Sequence, residues 1–330
     1  MSRLEKISKL LLNFDGISRK LVLPSIIDKL RIQSYKGDTP HGLGEDSAAI
    51  VSGCDENVLL TTDAIVEDLC LNHPHAAGFN AVLANVMDIY AAGGTPTSFA
   101  VALSYSDHNV GSEILDGLIS GSHTFRIPIV RGHTNPKSSS TYIVGSATGT
   151  VLEENILTAG GAEAGNIMVL LFDSVGQRGT SYRLGWDSVT DRSSDEVVQR
   201  LSVMNSLADA HLLTAAKDVS VAGIVGTAAM MLEYSGRGGA LDLDAIDSSK
   251  PSEISLEDWL RMYISLGFLV SLPGENLHYL EEIASTHGVT PTVVGVVDDS
   301  KAVRIQLGEE TRTLFDFSKG GVLTPRNASL

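Results

Sequence analysis

Phe79-Asn80-Ala81-Val82-Leu83-Ala84-Asn85-Val86-Met87-Asp88-Ile89-Tyr90-Ala91-Ala92-Gly93-Gly94-Thr95-Pro96 is the stretch on which the fold turns. Phe79, Val82, Leu83, Val86 and Ile89/Tyr90 recur at helical spacing, and Gly93-Gly94 followed by Pro96 is ordinary helix-stop chemistry. Asn85 and Asp88, three apart, share a stripe beside the buried face of that helix. Just upstream, Val58-Leu59-Leu60-Thr61-Thr62 is an apolar, β-branched run bounded by Asn57 and Asp63. It predicts a strand that delivers Asp63 at its C-terminal end.

Working outward, residues 99–103, 127–130 and 141–147 read as strands, with a polar helix over 111–122 between the first two. Strands and helices alternate, an α/β or α+β pattern. Residues 4–12 and 21–30 read as short helices around the turn formers Asn13-Phe14-Asp15-Gly16, which together make an N-terminal arm. The small, turn-rich segment 159–166 marks a division, placed so that one domain spans 1–155 and a second 156–330. In the second, the patterns predict a strand over 167–172 and a helix over 195–217 capped by Ser194. A helix over 222–234 stopped by Gly236 follows, then one over 256–266 opened by Ser255 and Asp258, and strands over 268–272, 292–297 and 303–307.

Composition bounds what such a chain does. Its 330 residues carry 24 Lys+Arg against 40 Asp+Glu, a formal net charge of −16, with 43% hydrophobic residues. Charged residues are 19% of the chain, below the roughly 25% of an average soluble domain, which excludes a disordered acidic tail protein. No basic footprint for a phosphate backbone is present, so nucleic acid is not an expected partner. The uncharged stretches 69–87 and 89–106 are interrupted by Asn72, His73, Pro74 and His75 in one and by Gly93, Gly94 and Pro96 in the other, so no membrane partner is expected. Cys54 and Cys70 fit neither a disulfide framework nor a zinc site and point to a reducing compartment, the cytoplasm. Residues 1–12, with Arg3, Glu5, Lys6 and Lys9, lack the apolar core of a secretory signal.

Four acids stand at special places: Asp46 in Gly44-Glu45-Asp46-Ser47, Asp63 after its strand, Asp88 on its helix, and Asp218 in Lys217-Asp218-Val219-Ser220. Few, hard, negatively charged oxygen ligands are what Mg²⁺ held between protein and nucleotide phosphates requires. Chance placement of single acids at caps and strand ends is the alternative for each taken alone. Gly-x-x-x-x-Gly-Lys-Ser/Thr, Gly-x-Gly-x-x-Gly after a strand, Gly-x-Ser-x-Gly and His-Glu-x-x-His are all missing, which removes P-loop, Rossmann, serine-hydrolase and zincin readings. His133, in Arg131-Gly132-His133-Thr134-Asn135, is either a site residue or a loop histidine, and His73 and His75 about Pro74 are either a metal pair or a solvated turn, with the turn favoured.

Taken together, Gly44-Glu45-Asp46-Ser47-Ala48-Ala49-Ile50, Leu60-Thr61-Thr62-Asp63, Asn85-x-x-Asp88-Ile89-Tyr90-Ala91-Ala92-Gly93-Gly94-x-Pro96, Gly132-His133-Thr134 and Asp218-Val219-Ser220 resemble, in order and spacing, the aminoimidazole ribonucleotide (AIR) synthetase superfamily. The superfamily includes thiamine-monophosphate kinase, selenophosphate synthetase and a hydrogenase maturation factor. The resemblance implies a two-domain α/β plus α+β fold, with an N-terminal domain that dimerises through its sheet and a C-terminal α+β domain. ATP and Mg²⁺ would lie in the groove between them.

It further implies metal binding by Asp46, Asp63, Asp88 and Asp218, of which Asp63 and Asp88 are also read as catalytic. Thr61, Thr62, Asn85, Gly93, Gly94, Gly132, His133, Thr134 and Ser220 match positions at the nucleotide or metal. Lys20 is the arm's candidate phosphate-facing catalytic lysine, with a solvated surface lysine as its alternative. The implied activity is ATP-dependent phosphoryl transfer to a small molecule in a homodimer.

Departures blur the choice of member. Residues 13–20 contain no Cys, against selenide activation. Asp63-Ala64-Ile65-Val66-Glu67 resembles thiamine-monophosphate kinase, yet Cys70 replaces its substrate-side His, His133 a metal-binding Asp and Val221 a second Asp after Asp218. The chain ends Pro325-Arg326-Asn327-Ala328-Ser329-Leu330, without the terminal Cys of the hydrogenase factor. The substrate is left open, with a thiamine-monophosphate kinase-like or selenophosphate synthetase-like enzyme, or a non-catalytic nucleotide-binding dimer, as alternatives.

Overall fold

An arm of three helices precedes the first sheet: α1 (Arg3–Leu12), α2 (Asp15–Ser18) and α3 (Leu23–Gln33). The structure is a computed structural model that describes residues 1–33, 43–51 and 56–324; Cys54 and residues 325–330 lie outside them. Ser2 caps α1 by accepting from the Glu5 N–H, which satisfies one of the free donors of the first turn. Leu4, Ile7 and Leu11 recur on one face of α1 and are buried together with Phe14 and Ile17. They join the core of the C-terminal sheet, so α1 and α2 are packed down on it.

The first sheet holds β1 (Ala48–Ile50), β2 (Glu56–Ile65), β3 (Thr95–Tyr105), β4 (Ile129–Pro136) and β5 (Tyr142–Leu152) in the order β1-β2-β5-β3-β4. Two long helices, α5 (Pro74–Ala91) and α6 (His108–Phe125), cover one face, preceded by the short α4 (Glu67–Asn72). Along β2, Leu59 and Thr61 are buried while Leu60, Thr62 and Ala64 are exposed, the alternation of a strand with one face on the core. The outer face also exposes Tyr142 on β5, and the edge strand β4 is exposed along its whole length.

The second sheet is larger: β6 (Ile167–Phe172), β9 (Ala215–Asp218), β10 (Gly238–Asp242), β12 (Phe268–Leu272), β13 (Thr290–Asp298), β14 (Ala302–Leu307) and β15 (Glu310–Asp316), ordered β15-β14-β10-β13-β6-β12-β9. A three-stranded ribbon of β7 (Gln177–Arg178), β8 (Gly185–Asp187) and β11 (Tyr263–Ile264) lies beside it. Its helices are α7 (Ser194–Leu201), α8 (Val203–Asp209), α9 (Gly223–Tyr234), α10 (Leu243–Ser249), α11 (Leu256–Trp259) and α12 (Leu277–Thr286). The two-domain architecture with mixed α/β content therefore stands. Among the described residues no helix is long and apolar enough to cross a membrane.

Two local expectations are corrected, and one strand is added. The helix expected over 195–217 is two helices, capped by Ser193 rather than Ser194, and His211 at φ 51 ends the second before strand β9. The helix expected over 256–266 stops at Trp259, and its remainder is β11 and a turn through Leu266 at φ 57. Strand β15 went unforeseen, because Glu310-Thr311-Arg312-Thr313 carries no apolar alternation.

Candidate active site

Helix α5 lies between the two sheets, and its Asp88 meets groups from both. Thr61 and Asp63 are on the same face of β2 by strand alternation, and the Thr61 hydroxyl donates to Asp88 Oδ2. Ser47 donates to the Asp88 carbonyl at 3.1 Å, which fixes the loop carrying Asp46 against the end of the helix. From the other sheet, β9 runs out at Asp218, paired with Phe268 of β12. The Asp218 N–H donates to Asp46 Oδ2 at 3.4 Å, across 172 residues of sequence. One carboxylate oxygen from each of Asp46, Asp88 and Asp218 falls within 4.8 Å of the others.

These acids repel one another in a poorly solvated place. Burial, then Asp63, Asp218 and Asp46, push the Asp88 carboxyl well above the ordinary carboxylate range, against the pull of Thr61. Burial and Asp46 push Asp218 up to about 7, with Lys217 opposing. A divalent cation supplies the positive charge such a set lacks, and three hard oxygens suit Mg²⁺.

Two lysines share the site. Lys217, on β9, is paired with Asp46 in an ion pair whose side chains are 6% and 11% exposed. Burial works against its charge, but Asp46 and Asp218 outweigh it and hold the ammonium above the usual lysine range. Lys20, from the turn after α2, lies within the field of Asp218, Asp63 and Asp46; burial and Lys217 push it below the usual lysine range. Its side chain is half-buried. Its segment is held by Gly16, where a Cβ would fall 2.1 Å from the Val221 carbonyl oxygen, so only glycine allows the arm to lie this close to the loop after Asp218. Gly223 at φ 71 closes that loop against the Leu260 carbonyl.

Among the described residues, three buried polar groups near the acids have no hydrogen-bond partner. Asn85, fully buried three residues before Asp88, donates to the Ala81 carbonyl at 2.8 Å but leaves its side-chain oxygen unpaired. The Ser220 hydroxyl and the Tyr263 hydroxyl are likewise buried and unpaired. Burial and the charges of Asp218, Asp63 and Asp88 push the Tyr263 phenol well up. Buried hydroxyls without partners are costly, so donors left open beside a cluster of acids suit a bound anion.

Both halves of the chain match models of one family, the AIR synthase related protein N-terminal domain over residues 44–151 and the AIR synthase related protein C-terminal domain over 156–308. The chain belongs to the AIR synthase related family. An uncharacterized protein of Methanocaldococcus jannaschii is 32% identical over 318 residues, covering 96% of this chain and 98% of that protein. The T. maritima PurL structure complexed with ATP has a TM-score of 0.75 at 14% identity, covering 92% of this chain and 51% of that one. The structure of AaThiL complexed with AMPPCP and TMP has a TM-score of 0.63 at 17% identity, covering 88% and 96%. This AIR synthase related chain therefore spans about half the PurL chain, and at these identities the structural likenesses show the fold.

Other residues expected at the site are placed apart from the acids. Thr62, on the outer face of β2, donates to the Gly145 carbonyl at 2.9 Å. Gly93 and Gly94 end α5, and their carbonyls both accept from Asn205 of α8 at 3.0 Å. Gly132, His133 and Thr134 lie on exposed β4. Asp63, Gly145, Val101 and Gly132 form one row across β2, β5, β3 and β4, which separates Gly132 from Asp63 by about 14 Å, or three strand spacings. His73 and His75 are exposed but open helix α5 rather than forming a turn, with Pro74 as its first residue, and His75 Nε2 lies 3.2 Å from the Ser120 hydroxyl. Lys217 and Tyr263 were missed by sequence reasoning, because each sat inside a stretch with helical periodicity.

Proposed function

We propose that this protein is an ATP- and Mg²⁺-dependent phosphotransferase or ligase that activates a small molecule and works as a homodimer in the cytoplasm. The observation that carries the reading is the convergence of Asp46, Asp88 and Asp218 from a loop, a helix and a strand of different sheets. The T. maritima PurL structure holds ATP and the AaThiL structure AMPPCP on the same fold, which supports a nucleotide here.

Asp46, Asp88 and Asp218, with Asp63 beside them, would hold Mg²⁺, whose charge neutralises the phosphate oxygens during transfer. Lys20 brings a second cation from the arm, and the open hydroxyls of Ser220 and Tyr263 are donors for phosphate oxygens. Asn85 offers its unpaired oxygen under the same cluster. Orientation and charge stabilisation carry the rate, without a covalent nucleophile. Leu60, Thr62, Ala64 and Tyr142 on the outer face of the first sheet, with the exposed edge strand β4, form the proposed dimer surface. Gly132, His133 and Thr134 belong to that edge, and their proposed role at the nucleotide would be filled across the dimer.

ADP release measured over a metabolite panel tests the activity. Turnover is expected with Mg²⁺, with loss in EDTA and in Asp88→Asn; turnover that survives both would overturn the reading. A second reading, a non-catalytic nucleotide-binding dimer, is favoured by His133 on its exposed strand and Val221 against Gly16, positions that are acidic in the kinase pattern. Thermal stabilisation by ATP without turnover of any substrate would select it.

A further inference from the structure

Lys217 is an unusual neighbour for a metal site. Its ammonium is buried among carboxylates, paired with Asp46, and carried by the residue next to Asp218. Taking an ammonium out of water is expensive unless a partner is fixed in place, so this cation is a permanent part of the cluster. Asp46 is engaged on both oxygens, one by the Lys217 ammonium and the other by the Asp218 N–H.

Charge and space then agree on a number. Glu45 apart, whose carboxylate accepts the Ala159 N–H at 2.8 Å, Asp46, Asp63, Asp88 and Asp218 oppose the ammoniums of Lys20 and Lys217, which leaves two negative charges when all are ionised. One divalent ion balances that excess. The three clustered oxygens lie within 4.8 Å of one another, which leaves room for the roughly 4.2 Å between opposite ligands of one octahedral Mg²⁺.

We infer that Lys217 is a built-in cation that stands where a second divalent ion would sit between Asp46 and Asp218, so that the protein itself holds a single divalent ion. The inference rests on the metal-dependent reading proposed above. Lys217 acts through the acids and is a positioning residue.

Mn²⁺ binding to the full chain without nucleotide, read by the electron paramagnetic resonance of free Mn²⁺, tests it. Wild type and Lys217→Arg are each expected to bind one ion per chain, and Lys217→Met two. Lys217→Gln, which keeps a hydrogen-bonding head without charge, is also expected to bind two and serves if Lys217→Met does not fold. One ion in every variant, or two in wild type, would overturn the role of Lys217 while leaving the metal site standing. No binding by any of them would overturn the metal-dependent reading itself, and this inference with it.

Discussion

The Thr61 hydroxyl donates to Asp88 Oδ2, joining strand β2 to helix α5 at the point where three carboxylates meet. This bond favours the ionised carboxylate against burial and against its acidic neighbours. Thr61→Val keeps the shape and removes the donor. A hydrogen bond to a charged group contributes about 1.5–3 kcal/mol, so Mn²⁺ affinity at neutral pH is expected to fall roughly tenfold or more. Because the bond is already made in the metal-free chain, its melting temperature is expected to fall as well. Calorimetric titration checks this, and unchanged affinity would remove Thr61 from the site.

Asp218 gives the metal-free protein a particular pH dependence. Its folded pKa of about 7 lies above the ordinary 3.8, so the unfolded chain gives up this proton first. Its contribution is fully present below about pH 4 and is lost as pH rises through about 7, at a slope approaching 1.4 kcal/mol per unit. Urea denaturation in EDTA at several pH values is expected to show wild type losing stability relative to Asp218→Asn across this window. Divalent metal, which binds the ionised acid, is expected to flatten the trend. A wild type that gains on the variant as pH rises would contradict this.

What the sequence conveyed and what it withheld follow from range. The helix carrying Asn85 and Asp88 and the strand carrying Thr61 and Asp63 were legible because their periodicity and stop signals are local. The meeting of Asp46 with Lys217 depends on contacts across 171 residues, to which spacing is blind. Lys217 lies on a strand built from Ala215 and Ala216, with no β-branched residue to announce it. Tyr263 follows a single helical turn whose cap was read correctly and whose end was not. The side of the sheet taken by Thr62 was implied by alternation once Thr61 and Asp63 faced the helix, but motif matching ignores faces.

Gly16 is where the arm touches the loop after Asp218, and an alanine there has no room. The added carbon would fall 2.1 Å from the Val221 carbonyl oxygen and 2.6 Å from the Phe14 ring. One of the two backbone segments must shift, at a cost of about 1–3 kcal/mol for overpacking. Because the same arm carries Lys20, Gly16→Ala is expected to weaken nucleotide binding more than Gly236→Ala does, where nothing lies within 4 Å and only the backbone is strained. Denaturation midpoints with nucleotide titrations of both variants check this, and equal nucleotide affinities would detach the arm from the site.

Glu233 holds the last described turn of the chain. It is buried near the end of α9, and its carboxylate accepts the backbone N–H groups of Val322 at 2.5 Å and of Leu323 and Thr324 at 2.6 Å. Burial pushes the Glu233 carboxyl up, and the three N–H groups pull it down. Leu323 is buried by this arrangement, and the Thr324 hydroxyl adds a bond to the Met230 carbonyl. Glu233→Gln replaces one accepting oxygen by a donor that faces another donor, at a cost of about 1–3 kcal/mol. The loss is local, so tryptic cleavage after Lys319 is expected to speed up about tenfold or more at unchanged Mn²⁺ affinity, since opening by 1.4 kcal/mol exposes ten times as much of the segment. Mass spectrometry of timed digests reads the cut, and equal rates for wild type and Glu233→Gln would show that the segment is held without Glu233, by Leu323 and the Thr324 hydroxyl.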